Sequence, residues 1–292
     1  MHPNATKSMP LLTHVGWEVR IKAPPVQPHE IATPFVRKHA PKSGCCGLSE
    51  LIKLYAWTLT EFWRVVHLDM DSLVLGPMHE LFGRDASLIY TCDYNMMNKN
   101  ARAKNPKAVC AVQGGFAVVR PSMAAFNTMV VVMREGRFGA GVRPGASGWN
   151  GTGIGHWWGG VTFQGLVPFY YAKVPQAAQA GPALEVDRCV YDNMVDDPVD
   201  APMAGSSDCR AQPLNTIKNV HFTLCQKPWS CNVAQHPDDL QHLCMALHTQ
   251  WFALRKLSEQ RHQLADTITS SSTKYHNGAC SRGKYVPMAI QA

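Results

Sequence analysis

Apolar positions along this chain fall into short blocks whose spacing switches between a helical period and that of buried strands. Leu51, Tyr55, Leu59 and Phe62 recur three and four apart behind Ser49, a residue suited to cap a helix start, so the pattern predicts an amphipathic helix over 49–62. The next block, Val65-Val66-His67-Leu68, is short, β-branched and nearly continuous, which predicts a buried parallel strand. Ser72 to Leu75 continues extended, Gly76-Pro77 breaks it, and Met78 to Phe82 has room for one or two helical turns. Strands are expected at Ser87 to Tyr94 and Gly115 to Arg120, separated by the polar segment Asn98-Lys99-Asn100-Ala101-Arg102. Pro121-Ser122 opens a helix whose positions Phe126, Met129, Val130 and Met133 share a face until Glu135-Gly136. Earlier, Trp17 to Ile21 predicts a short strand, with a proline-rich connector after it from Pro24 to Pro41. Later, Leu240, Leu243, Leu247, Trp251 and Leu254 predict one long docking helix from Pro237 to about Ile268, with a loose tail from the Ser270–Ser272 tract onward. Strand and helix in alternation give an α/β fold: a mainly parallel sheet flanked by helices, with a long C-terminal helix.

Between residues 139 and 160 the periodicity vanishes into glycines, with Trp149, Trp157 and Trp158 among them. Such a segment serves either as a surface on which a sugar ring lies against indole faces or as a loop whose tryptophans fill the core. At 292 residues and 46% apolar content the chain can bury a substantial core. A net charge of +7 is scattered, with no basic stripe interleaved with aromatics, so a nucleic-acid partner is not expected. No run is long enough to span a bilayer, and Met1 to Lys7 lacks the pattern of a signal peptide, so the chain is either cytosolic or lacks its true N-terminus. Ten cysteines and the triplets opening at Asn4 and Asn150 favour a lumenal home over a cytosolic one; Cys189 with Cys209, or Cys225 with Cys231, are candidate bridges. The close pairs Cys45-Cys46 and Cys225-x5-Cys231 do not have zinc-ribbon spacing.

Chemistry concentrates where the 65–68 block ends, at Asp69-Met70-Asp71. In open α/β sheets ligands sit at the carboxyl ends of strands, and two close carboxylates repel unless a cation joins them. A hard divalent ion clamped there can hold a diphosphate. The bland alternative is one Asp capping a helix and the other facing water. Val220-His221-Phe222-Thr223-Leu224-Cys225-Gln226-Lys227-Pro228-Trp229 is the second constellation. An imidazole added to two carboxylates suits manganese better than calcium, and a lysine nearby neutralises charge growing on a departing diphosphate. A lone core histidine and a surface Lys-Pro-Trp turn are the plain readings of the same residues.

Ser49 to Phe62, Asp69-Met70-Asp71 with Met78 to Phe82, Gly114 to Ser122, Gln164-Gly165-Leu166, and His221-Phe222 through Trp229 are five segments in order. Together they resemble glycosyltransferase family 8, the retaining, nucleotide-sugar-dependent group that includes glycogenin and galactinol synthase. The resemblance implies a GT-A type, Rossmann-like fold over 1–235, with the first nucleotide-binding strand missing and 236–292 packed on it as helix and tail. It implies transfer of a hexosyl group from a UDP-sugar to a glycan, polyol or protein hydroxyl, with manganese on Asp69, Asp71 and His221. Lys53, Asp93, Gln113, Gly114 and Lys227 would contact the donor, and Asp71, Lys227 and Gln164 would carry the chemistry. The Golgi lumen is the compartment implied, the cytoplasm the alternative. Three departures stand out: Gln113-Gly114-Gly115 replaces Asn-Ser-Gly, Phe163-Gln164-Gly165 replaces Asp-Gln-Gly, and little precedes Trp17 where the family grips uridine. Two rivals stay open. One is a haloacid-dehalogenase-type phosphatase with Asp69 as nucleophile, magnesium, and Asp196-Asp197 or Asp238-Asp239 as further ligands. The other is a binding protein that keeps the fold without turnover.

Overall fold

A computed structural model describes residues 3–94, 96, 109–141, 147–196, 208–231, 243–265, 279–281 and 284–291. Among these residues the strands are β1 (Val65–Leu68), β2 (Ser72–Val74), β3 (Leu88–Cys92), β4 (Val112–Val119), β5 (Phe138–Ala140), β6 (Ser147–Trp149), β7 (Ala183–Val186), β8 (Asn219–His221), β9 (Cys280–Ser281) and β10 (Lys284–Tyr285). The main sheet has the order β1-β4-β3-β7. β1 and β3 both pair antiparallel with β4, and only β3 with β7 is parallel, so the sheet is mixed rather than mainly parallel. β1, β3 and β7 nevertheless run the same way, with β4 reversed between two of them. The ends of β1 and β3 therefore meet the start of β4 at one edge, where Asp69 N–H bonds to Gly115 O and Asp93 N–H to Ala111 O.

Period-two alternation sends the two halves of β1 to different cores. Val65 packs with Leu88, Ala117 and Val119 against helices on one face; Val66 and Leu68 pack with Ile89, Phe116, Val118 and Leu81 on the other. β1 is only partly buried along its length, because it is the sheet edge. The expected helix over 49–62 is a 3-10 helix, Gly47–Thr58. Its buried residues Leu48, Leu51, Leu54 and Trp57 are spaced by three, the period of that helix, whereas the stripe read from sequence mixed threes and fours. Burial of each such side chain stabilises the fold by roughly 1.5–3 kcal/mol. The helix after Pro121-Ser122 runs Met123–Glu135; Ser122 accepts from Ala125 N–H and Gly136 closes the end at φ +61°.

Several expectations are corrected. Trp17 to Ile21 is not a strand, and both of those side chains are exposed, so nothing there pairs with the sheet. The strand expected from Gly115 starts earlier, at Val112, which pairs with Cys92 beyond a register shift in the β3–β4 ladder, while β1 pairs with β4 only over Phe116 to Val119. The long helix spans Leu243–Arg261, with Leu243, Leu247 and Phe252 buried but Leu254 exposed; Pro237, Leu240 and Ile268 lie outside the described residues. The polar segment 98–102 and the Ser270–Ser272 tract lie outside them too. The chain beyond that tract is tethered: β9 and β10 pair, and Cys280 is bonded to Cys231. In the glycine-rich stretch, β5 and β6 form a ribbon and Trp149 is fully buried against Phe138 and Phe169, while Trp158 is exposed.

All ten cysteines lie in described residues. Cys189–Cys209 pairs as expected, and Cys92–Cys110 closes the β3–β4 connection. Cys225 and Cys231 do not bond each other: Cys225 takes Cys244 on the long helix and Cys231 takes Cys280, because the intervening 3-10 turn Pro228–Ser230 directs the two sulfurs to different neighbours. No described helix is long and apolar enough to cross a membrane.

Candidate metal centre

The turn after β1 is tight, with Ser72 N–H bonded to Asp69 O, so Asp69 and Asp71 stand at the sheet edge on either side of an exposed Met70. β2 then pairs antiparallel with β8 in a register that sets His221 opposite Ser72, and Phe222 N–H bonds to Asp71 O. A residue 150 positions away in the chain is thereby delivered to the acid pair. His221 Nε2 lies 3.4 Å from Asp71 Oδ1 and 4.0 Å from Asp69 Oδ2, and one ligand atom from each of the three residues falls within 4.8 Å of the others.

Glycine makes room for this ring. A Cβ on Gly115 would stand 2.3 Å from His221 Cε1 and Nδ1, so no other residue is accommodated on β4 with the imidazole in place. Behind His221, Asp192 Oδ1 is 3.5 Å from Nδ1; both atoms are buried without any other hydrogen-bond partner, and Asp192 Oδ2 accepts from Thr91 Oγ1 at 3.0 Å. With Nδ1 directed at that carboxylate, Nε2 faces the acids, where a bound cation would take the place of the Nε2 proton. Burial opposes charge on this ring, but Asp192 and Asp71 outweigh it and lift its pKa to about 10. Two carboxylates and an oriented imidazole form a donor set that fits a divalent cation of the manganese class.

Each acid also has its own lysine. Lys53 Nζ sits 2.9 Å from Asp69 Oδ2, 2.7 Å from Glu50 Oε2 and 3.1 Å from Gly114 O. Glu50 and Lys53 are three apart, so they eclipse on the 3-10 helix. Lys227 Nζ donates to Asp71 Oδ2 and to Phe222 O. Burial works against ionisation of both acids. For Asp69, His67 and Lys53 outweigh it, and for Asp71, His221 and Lys227 do so, leaving both carboxyls below the usual carboxylate range. His67, 3.5 Å from Asp69 Oδ1, was missed from the sequence; its signal is the i, i+2 spacing that puts both on one face of β1. Asp192 was missed as well, since no local spacing announces it.

Asp93 and Gln113 meet beside the centre. Gln113 Nε2 donates to Asp93 Oδ2 at 3.2 Å, and its Oε1 accepts from Gly115 N–H at 2.6 Å, linking Asp93 to the strand under His221. Gly114 faces Lys53. Gln164 lies on the Lys53 side, with its Cγ against Gly114 and its amide oxygen against Gly159 and Gly44. Phe163, where the resembled family has an acid, is buried with its ring centroid 5.8 Å from Lys53 Nζ. Asp196 is buried against Arg188, and Asp197, Asp238 and Asp239 lie outside the described residues. The long helix, expected only to cover core, also holds the loop before Lys227: His248 Nε2 is 2.6 Å from Gln226 O.

Neither a protein-family model nor a curated protein sequence matches the chain. Among solved structures, the galactosyltransferase LgtC in complex with donor and acceptor sugar analogues is similar over 90% of this chain and 80% of its own, at 12% identity and TM-score 0.40. Mouse xyloside xylosyltransferase 1 is similar over 78% of this chain and 84% of its own, at 13% identity and TM-score 0.40. The bifunctional glycosyltransferase WbbM is similar over 67% of this chain, at 13% identity and TM-score 0.39; the chain spans 35% of its length.

Proposed function

We propose that this chain is a GT-A type, family 8 hexosyltransferase that moves a sugar from a UDP-sugar to an acceptor hydroxyl with retention of configuration. The observation that carries the reading is the convergence of Asp69, Asp71 and His221, three side chains brought together by the β2–β8 pairing. They would hold manganese, which supplies the positive charge that binds a diphosphate. Lys227, one-third exposed and already at Asp71, is placed to neutralise charge on departing UDP, and Asp71 keeps that ammonium in position. Lys53 spends its three donors on Glu50, Asp69 and Gly114, so its part is to orient Asp69 and the start of β4. Asp93, fixed by Gln113, would meet the donor sugar beside Gly114. Phe163 offers no nucleophile, which favours attack by the acceptor oxygen from the face the leaving group departs, without a covalent intermediate. Residues 1–235 would form the catalytic domain and 236–292 its brace. Four disulfides support an oxidising secretory compartment, with the Golgi lumen as its specific form.

The test is UDP release from a UDP-hexose as a function of manganese, with the intact chain and with Asp71→Ala. Release is expected to depend on manganese and to fall at least roughly a hundredfold in the variant. Equal rates would overturn the reading.

A further inference from the structure

Apart from Asp69, Asp71 and His221, one other cluster of ligating side chains occurs among the described residues. Cys45, Cys46 and Glu50 each bring one ligand atom within 4.8 Å of the others. Eight of the ten cysteines are in disulfides, and these two are the remaining pair. Their sulfurs lie 2.8 Å apart, and Cys45 Sγ is 3.2 Å from Glu50 Oε1. Both cysteines are exposed, whereas Glu50 is 7% exposed, so the carboxylate forms a fixed floor beneath two accessible thiols.

The backbone presents this trio rigidly. Gly44 and Gly47 bracket the two cysteines at φ +63° and +58°, and a Cβ on Gly47 would stand 2.2 Å from Pro41 O. The turn is therefore locked before the 3-10 helix begins, and that helix places Glu50 one turn on. Burial raises the Cys45 thiol, and the neighbouring Cys46 and Glu50 add to it.

We propose that Cys45, Cys46 and Glu50 form a second metal site, taking one divalent cation of the zinc class. Two thiolates select a borderline-soft ion and leave the hard, oxygen-rich centre at Asp69 and Asp71 to manganese. Three protein ligands leave the fourth tetrahedral position to water. Two S–H bonds break, two sulfur–metal bonds form, and two protons pass to solvent. The three anions and the dication leave a net charge of −1, which Lys53, 2.7 Å from Glu50 Oε2, offsets. Lys53 also bonds Asp69, so the two sites share a cation and neither is electrostatically independent of the other.

The test uses the full chain after exhaustive chelation, titrated with cobalt and then with zinc against a chromophoric competitor. The expected results are a thiolate-to-cobalt charge-transfer absorption, its displacement by about one equivalent of zinc, and retention of both in Asp71→Ala. The double variant Cys45→Ser, Cys46→Ser should abolish the absorption, and each single variant should reduce it and weaken zinc by at least about tenfold. The cobalt spectrum of the unaltered chain reports thiolate ligation whether or not those variants fold. Cobalt binding without that absorption, unchanged zinc affinity in a cysteine variant, or absence of two reagent-accessible thiols because Cys45 and Cys46 have joined would each overturn the proposal. Retention in Asp71→Ala separates this outcome from any failure of the transferase reading.

Discussion

Asp69 and Asp71 are neighbours in the chain, yet the regions that hold them are built by different means. Around Asp69, the partners Lys53 and His67, both against the Phe163 ring, rise from elements rooted in the largest apolar core, where Leu51, Leu54 and Trp57 are buried. Around Asp71, the partners His221 and Lys227 come from a three-residue strand and a loop over a much smaller cluster formed by Val220, Phe222, Leu243 and Leu247. Three disulfides surround that second region: Cys189–Cys209, Cys225–Cys244 and Cys231–Cys280. Burial of apolar area orders the first half of the centre, and cross-linking orders the second, where too little apolar surface is available. Each acid has a lysine beside it, Lys227 at Asp71 and Lys53 at Asp69, the latter shared with Glu50.

Breaking the cross-links should therefore separate the halves. The double variant Cys225→Ser, Cys244→Ser should lose about 2–4 kcal/mol of stability in chemical denaturation, and manganese binding should weaken with it while the Asp69 side keeps its core. Undiminished manganese binding in that variant would show that the long helix does not brace the Lys227 loop. Next in size is the contrast between adjacent glycines. Gly115→Ala drives a methyl into a buried imidazole and should cost about 1–3 kcal/mol, together with metal affinity. At Gly114 a Cβ would stand 3.0 Å from the flexible Lys53 Nζ, so Gly114→Ala should cost less; thermal melts and manganese titrations of both variants compare the two.

Asp192→Asn tests the carboxylate behind His221 and should weaken manganese roughly 10–100-fold by calorimetry, with the melting temperature moving little. An unchanged affinity would leave Asp192 a merely structural residue. The smallest effect is expected at Glu80, where Lys218 and Tyr191 lower the carboxyl from 4.5 to about 2. A depressed acid stabilises the fold above its unfolded pKa, so this contribution is present above about pH 4.5 and fades as pH falls toward 2. The side chain is more than a third exposed, so solvent screening holds it under about 1 kcal/mol, and Glu80→Gln should flatten the acid limb of the stability curve by that amount.

Sequence by itself determined the features that depend on near neighbours. The Ser122 cap and Gly136 stop, the β1 block ending in Asp69-Met70-Asp71, and the alternation of strands and helices were all legible because caps, turns and periodicity act over a few residues. The candidate site was legible as two separated constellations, with Lys53 and Lys227 near the acids. Only the tertiary structure decided that β4 enters the sheet reversed, since a short continuous apolar run reads the same in either direction. It alone set the β2–β8 register that carries His221 to Asp71, put Asp192 behind the imidazole, and sent Cys225 and Cys231 to separate partners. Pairing and cross-linking choose among distant segments by shape and burial, and no local spacing encodes that choice.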